Sequence, residues 1–276
     1  MNTLYLVATP IGNLEDITLR ALRILKEVAL IAAEDTRTSG VLLSHFNIST
    51  PMTSYHEHNK LDKIDMIFEV LETDDVALIS DAGTPGIADP GYELVRDAIQ
   101  HGVKIVPIPG ANAAVSALVA SGIATDKFTF LGFLPKKQYA RRQLLEAVKE
   151  TKYSLIAYES PYRLADTLQL IMNVLGEDRQ VCVGREMTKM YEEFFRGSAR
   201  DVLAHYTDEN PKGEVTLVIS GAPETTTWDT SRVQDALIER IEAGDSLSYA
   251  AKSIAKVSGW KKSVVYKLGV DMDEDD

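Results

Sequence analysis

Residues 80–91, Ser80-Asp81-Ala82-Gly83-Thr84-Pro85-Gly86-Ile87-Ala88-Asp89-Pro90-Gly91, combine glycines, prolines and two carboxylates in one short stretch. Glycines let a backbone approach a ligand closely, and prolines fix the path of a loop. Asp81 and Asp89 bring negative charge with no cation in the stretch. That chemistry suits a small ligand held largely through backbone atoms. No Gly-Lys-Ser/Thr follows, so the stretch is not a phosphate-cradling P-loop. Two further loops share its make-up: Thr9-Pro10-Ile11-Gly12-Asn13, which is not a G-x-G-x-x-G turn, and Ile108-Pro109-Gly110-Ala111-Asn112-Ala113-Ala114. Three such loops favour a ligand cleft over three plain turns, although the same residues also make ordinary turns.

Other chemically able residues are scattered. Glu34-Asp35-Thr36-Arg37 offers two acids and a cation, readable as a site or as a helix cap. Glu159 and the run Arg185-Glu186-Met187-Thr188-Lys189 follow strand-like segments; a charge at a helix start and a surface salt-bridge loop are the plainer readings. In His56-Glu57-His58, side chains two apart share one face of an extended chain. No cysteine or third histidine lies close by, so no metal site is expected, and polar loop residues or substrate contacts fit better. Neither a G-x-S-x-G elbow nor an H-E-x-x-H pair occurs.

The elements needed to position these residues follow from periodicity. Leu4–Ala8 reads as a strand, 17–28 as a helix, and 30–33 as a second strand ending at Glu34-Asp35. Helical patterns recur near 61–72, 91–101 and 112–120, with strands at 76–79 and 103–106. This is the βαβ rhythm of a mostly parallel sheet, whose strand ends are where ligands bind. A break near Ser121-Gly122-Ile123 opens a second series: strands at 128–133, 154–158, 180–183, 192–197 and 215–219, and helices near 137–150 and 162–175. Its higher strand content predicts a mixed sheet. Residues 222–227 read as a linker, and 231–268 as a helical module whose two short helices flank Ser258-Gly259, like a helix-turn-helix or a small packing module. The expected organisation is an α/β domain over 1–120, a second α/β domain over 121–223, and a helical module with an acidic tail over 224–276.

The 276 residues carry a net charge of −12, which by itself argues against nucleic-acid binding. The distribution weakens that argument. Five acids crowd residues 271–276, while 246–270 hold five lysines, among them Lys252, Lys261 and Lys262, and no acid. Lys136, Lys137, Arg141 and Arg142 form a second basic group. Local basic faces bind phosphate whatever the total charge, but they are as often merely solvated. The single cysteine, Cys182, excludes an internal disulfide and reads as a buried small residue. With no basic leader before the apolar Leu4–Ala8 and no membrane-length apolar run, a cytoplasmic protein is expected.

Taken in order, Leu6-Val7-Ala8-Thr9-Pro10-Ile11-Gly12-Asn13-Leu14, Ala33-Glu34-Asp35-Thr36-Arg37, the 80–91 loop, Pro109-Gly110-Ala111-Asn112-Ala113, Tyr158-Glu159-Ser160-Pro161-Tyr162-Arg163 and Gly184-Arg185-Glu186-Met187-Thr188-Lys189 span nearly the whole chain. They resemble the tetrapyrrole methylase superfamily, and within it the bacterial enzymes that methylate small-subunit ribosomal RNA. The resemblance implies two α/β domains with S-adenosylmethionine (SAM) folded into the cleft between them. It also implies a homodimer, and 2′-O-methylation of a cytidine in the decoding region of 16S rRNA in the small ribosomal subunit. It places the cofactor at Pro10, Asp81, Ala82, Gly83, Thr84, Ile87, Asn112, Ala113, Glu159 and Met187. The superfamily's Gly-Gly-Asp falls on Ala82-Gly83-Thr84, so its acid is absent there. Glu159 stands where a methionine is usual, and Met187 where a glycine is.

On that reading Asp35 and Glu159 are the candidate base or orienting groups for a ribose hydroxyl. Arg37, His56, Lys136, Lys137, Arg141, Arg185, Lys189, Lys252, Lys261 and Lys262 are the candidate RNA contacts. Two alternatives stay open: a SAM-dependent methyltransferase of a tetrapyrrole or other small molecule, and a non-catalytic RNA-binding or ribosome-assembly protein.

Overall fold

The computed structural model describes residues 2–56, 60–207, 211–223 and 228–273. Glu57 and His58 of the His-Glu-His run, linker residues 224–227 and the last three acids of the tail lie outside them.

The chain forms two compact units, residues 1–222 and 223–276. The first contains two five-stranded sheets. Strands β1 (Thr3–Val7), β2 (Leu30–Ala33), β3 (Met52–Ser54), β4 (Val76–Ile79) and β5 (Lys104–Ile108) pair in the order β3-β2-β4-β1-β5, all parallel. The central β4 is buried at every position, as expected when helices cover both faces of a parallel sheet. On one face α1 (Leu19–Glu27) and α2 (Thr36–His45) bring Ile24, Leu25 and Leu43 against Val7, Ile31 and Ile79. On the other, α3 (Lys60–Thr73) and α4 (Tyr92–Gln100) bring Ile67, Leu71 and Leu94 against Leu4, Ala32 and Leu78. The period-2 alternation of each strand thus feeds two separate cores.

The second sheet joins β6 (Phe128–Phe133), β7 (Ser154–Glu159), β8 (Gln180–Arg185), β9 (Glu193–Ser198) and β10 (Val215–Ile219) in the order β6-β7-β10-β8-β9. Only β6 and β7 run parallel, so the sheet is mixed. Its register shifts between Phe130 and Phe133, where Gly132 takes φ +66°, the left-handed conformation a bulge needs. The helices α6 (Gln138–Ala147), α7 (Leu164–Leu175) and α8 (Ala199–Thr207) cover one face through Leu145, Leu168, Ile171 and Val202.

The opposite face is covered by α5 (Ala113–Ser121), whose Ala114, Ala117 and Leu118 pack on Ile156, Cys182 and Val218. This differs from the boundary expected at residue 120. By packing, α5 belongs to the second sheet, so the chain crosses over before residue 113. In residues 223–276, α9 (Thr230–Glu242), α10 (Leu247–Ser258) and α11 (Lys262–Asp273) enclose their own core of Val233, Leu237, Ala251, Ile254 and Val265. Gly259, at φ +72°, ends α10, and the Trp260 indole donates to the Trp228 carbonyl at 2.7 Å. Among the described residues no helix is long and apolar enough to cross a membrane.

Candidate active site

The three glycine-proline loops meet at the C-terminal ends of the parallel strands. Thr9 and Gly83 exchange backbone hydrogen bonds at 2.9 and 3.0 Å, joining the loop after β1 to the loop after β4. The Thr9 hydroxyl donates to the Ser80 carbonyl at 3.1 Å, and the Thr84 hydroxyl to the Ala111 carbonyl at 3.2 Å. Gly83 takes φ +85°, a conformation that side chains disfavour. Asn112 caps α5, accepting from the Val115 amide at 3.1 Å. The loops are therefore fixed to one another before any ligand arrives.

They form one wall of a cavity of about 540 Å³. The other wall comes from the second sheet: Phe133, Tyr158 through Pro161, and Gly213 through Thr216. Of the residues expected at the cofactor, Asp81, Ala82, Gly83, Thr84, Ile87, Asn112, Ala113 and Glu159 line this cavity. Pro10 is buried in the adjoining turn and does not. Nor does Met187, which is buried in the apolar layer between α5 and the second sheet, with its sulfur against Gly184.

Charge is the cavity's strongest property. Glu34, Asp81, Asp89, Glu159 and Glu214 line it, and among the described lining residues there is no lysine or arginine. Glu34 and Asp81 interlock: the Asp35 amide donates to Asp81 Oδ1 at 3.1 Å, and the Asp81 amide to Glu34 Oε2 at 3.4 Å. Burial, opposed by hydrogen bonding and reinforced by neighbouring acids, raises both carboxyls above their ordinary values. Asp89 is pushed furthest, up to about 6, by burial and then by the charge of Glu34, with Asp81 adding to it. Across the cavity the Tyr158 phenol is also raised, chiefly by burial; it bonds to the Ala114 backbone and feels the charge of Asp89. The sequence assigns no role at the cofactor or the reacting groups to Glu34, Asp89 or Tyr158. Asp89 was visible as a loop charge and Glu34 as a strand-end charge, but neither pattern reveals that the two converge.

The two carboxylates expected to act as bases have other partners. Asp35 caps α2, accepting from the Arg37 amide at 2.8 Å and from its guanidinium at 3.0 and 2.6 Å. Those bonds hold its carboxyl well below the usual range, which makes it a poor proton acceptor, and it lies outside the cavity lining. Glu159 has no exposed side-chain surface. Its Oε1 accepts from the Ser160 amide at 2.6 Å and meets Arg163 at 2.5 Å; its Oε2 accepts from Thr167 at 2.6 Å and faces Arg141 at 3.6 Å. That carboxylate is thus engaged by two cations and two hydrogen-bond donors, and it holds the end of β7 to α6 and α7.

The expected RNA contacts separate likewise. Arg141 is buried in the Glu159 ion pair, not displayed on a surface. Arg185 is held by Glu193 at 2.8 Å. Lys189 bridges Glu186 at 2.8 Å and Glu214 at 3.1 Å, and its stem lies against Gly12, where a Cβ would come within 2.5 Å of it. Arg185 braces β8 to β9, and Lys189 braces the loop after β8 to the start of β10. Arg37 is exposed although paired with Asp35. His56 is half-buried near Glu34, whose carboxyl it influences. Lys136 and Lys137 are exposed at the start of α6. Lys252, Lys261 and Lys262 are exposed on the separate helical unit.

Comparison with known proteins supplies the context. The family described as Tetrapyrrole (Corrin/Porphyrin) Methylases matches residues 3–203. A "Ribosomal RNA small subunit methyltransferase I" of Halalkalibacterium halodurans is 48% identical over 273 residues, 96% of this chain and 94% of that protein. The protein of the same name from Synechocystis is 44% identical over the full length of both, and that of Bacillus subtilis 43% identical over 96% and 93%. Among solved structures, uroporphyrin-III-C-methyltransferase from Thermus thermophilus superposes with a TM-score of 0.57 at 18% identity, covering 80% of this chain and 94% of that one. At that identity the likeness concerns the fold.

Proposed function

We propose, because the chain belongs to the tetrapyrrole (corrin/porphyrin) methylase family, that its acid-lined cavity holds SAM and that the methyl acceptor is a ribose of small-subunit ribosomal RNA. When bound, SAM supplies a methyl group made electrophilic by a positively charged sulfur. The observation that carries the reading is the lining of the cavity: Glu34, Asp81 and Asp89 converge there without an ion-pair partner among the described residues, and no lysine or arginine is among the described lining residues. Such a lining repels phosphate and favours a cationic ligand. The cavity volume suits a ligand of SAM's size. Gly83, at a φ of +85° that side chains disfavour, leaves its backbone bare at the cavity wall. Ile11, Ile87 and Val215 offer apolar surface for a purine ring.

The acceptor follows from the names of the relatives, which match across nearly the whole length. Within that class we infer the cytidine 2′-oxygen of the decoding region as the position modified. The chain's own contribution is geometric and electrostatic. Loops pinned at Thr9–Gly83 and Thr84–Ala111 fix the donor's position. Arg163 and Arg141 lock Glu159, and with it the β7 side of the cleft. Holding acceptor and donor in line supplies much of the acceleration of such a displacement. The exposed Lys136 and Lys137 at the start of α6 would contact phosphates outside the acidic cavity. Exposed apolar residues of α5, Val115 and Val119, support a homodimer, which sedimentation of the purified protein tests; action on ribosomal RNA implies the cytoplasm.

Calorimetric titration with SAM tests the first half of the reading, and absence of binding refutes it. Incubation with unmethylated small subunits, then mass spectrometry of nuclease fragments, tests the second. A single new ribose methyl on a cytidine is expected. A methyl on a base, or none on RNA and one on a tetrapyrrole, overturns it.

A further inference from the structure

Abstraction of a ribose hydroxyl proton needs an acceptor that is unpaired with a cation, close to the bound reactants and appreciably ionised near neutral pH. The cavity holds five carboxylates, and four have prior commitments. Glu159 is buried and paired with Arg163 and Arg141, and it accepts from Thr167 and the Ser160 amide. Glu214 is paired with Lys189 and largely exposed. Glu34 accepts from the Asp81 amide and Asp81 from the Asp35 amide, which holds the loops after β2 and β4 together. Asp89 alone has no cation acting on it among the described residues. It lies beyond Gly86 on the far limb of the 80–91 loop, facing the cavity between Ala88, at φ +64°, and Pro90. The groups facing it are Glu34, Asp81, the buried Ser80 hydroxyl, which lies alongside without a well-formed hydrogen bond, and Tyr158 from β7.

We propose that Asp89 is the catalytic proton acceptor for the ribose 2′-hydroxyl; this rests on the methyl-transfer reading above. In the step, the O–H bond breaks, the proton passes to an Asp89 carboxylate oxygen, and the oxygen's electron pair forms the bond to the methyl carbon. The carbon–sulfur pair leaves with sulfur, and Asp89 then returns the proton to water. A carboxyl pushed up to about 6 by burial and by Glu34 accepts that proton more readily than an ordinary aspartate, and is still ionised at pH 7.

The test compares wild type with Asp89→Asn and Ser80→Ala on small subunits, in single turnover from pH 5 to 9, with SAM affinity measured in parallel. Wild type should show a rate that rises with pH through about 6. Asp89→Asn should still bind SAM, more weakly by the loss of one lining charge, and at saturating SAM should lose that rising limb and fall roughly 10²- to 10⁴-fold. Ser80→Ala, which removes a group favouring the charged carboxylate, should keep activity but move the limb to higher pH. Independently of turnover, carboxyl-carbon NMR of aspartate-labelled protein should show one resonance titrating near 6 that Asp89→Asn abolishes. An Asp89→Asn rate within threefold of wild type with its limb intact overturns the proposal. So does a wild-type spectrum with no such resonance. If wild type itself methylates no ribose, the methyl-transfer reading fails instead.

Discussion

Glu159→Ala should destabilise the protein severely, and the structure sets the scale. The carboxylate is fully buried and Arg141 is nearly so, at 0% and 4% side-chain exposure. Removing the acid leaves the Arg141 guanidinium in the interior without its counter-charge, and Arg141 Nε and Nη1 already lack hydrogen-bond partners. Breaking a buried pair from one side costs about 3–5 kcal/mol, mostly the penalty of the stranded charge. The Thr167 hydroxyl and the Ser160 amide lose their acceptor as well, each worth about 1 kcal/mol. Together these come to about 5–7 kcal/mol, and at roughly 2–4 °C per kcal/mol for a unit of this size the melting temperature should fall by about 10–28 °C. Glu159→Gln, which keeps an acceptor, should lose less. Arg141→Met in the Glu159→Gln background should cost less than the two changes summed, by about 0.5–3 kcal/mol. Circular dichroism melts and urea titrations of wild type, Glu159→Ala, Glu159→Gln, Arg141→Met and the double variant measure this. Additivity of the two changes, or a Glu159→Ala protein that melts with wild type, refutes the account of Glu159 as a structural hub.

Asp89→Asn should be more stable than wild type at pH 7. A carboxyl raised on folding stabilises the fold only while protonated, so its contribution is present below about pH 4 and is lost as pH rises through about 6. The advantage of the variant, on the order of 1 kcal/mol after solvent screening at the cleft mouth, should therefore vanish in urea titrations at pH 4. Gly91→Ala, at φ +151° with its Cβ only 3.1 Å from Leu78 and 3.2 Å from the Gly86 amide, should cost about 1–3 kcal/mol and weaken SAM binding; calorimetry giving wild-type affinity counts against the loop's role. Lys136→Ala with Lys137→Ala should weaken binding to small subunits and lower the salt slope by about 1 for each phosphate no longer neutralised, leaving SAM affinity unchanged. Filter binding at several ionic strengths reads this, and an unchanged slope removes both lysines from the interface.

Much of the fold was legible because its signals are local. The all-apolar Val76–Ile79 between turn residues announces a strand buried on both faces, and it is the centre of the parallel sheet. The elements that escaped notice lack such signals. Helix α2 reads TRTSGVLLSH, poor in helix formers, and is sustained by the Asp35 cap and by Leu42 and Leu43 packing. Strand β3 has three residues, too few for alternation to register. Helix α8 follows β9 with no turn residue between them. The assignment of α5 to the first domain failed for a different reason. Its Ala- and Val-rich sequence is apolar nearly all round, so periodicity reveals a buried helix without saying which sheet buries it.

The site divides along the same physical line. Backbone-shaped features travel with their sequence: the 80–91 and 108–114 loops line the cavity because glycines and prolines define them locally. Side-chain roles do not, because each is settled by a partner from another element. Arg141 and Arg185 read as RNA contacts until Glu159 and Glu193 are seen to neutralise them. Asp35 reads as a base until Arg37 is seen to hold it ionised. The same distinction resolves the apparent conflict between a chain of net charge −12 and a polyanionic acceptor. The carboxylates that converge do so inside the cavity, where they exclude phosphate and favour a cationic donor, while the exposed Lys136 and Lys137 lie outside its lining. A nucleoside can enter such a pocket only with its phosphates turned away from Glu34, Asp81 and Asp89. The charge pattern thus keeps phosphate at the rim on the same physical grounds that make the pocket hospitable to a sulfonium.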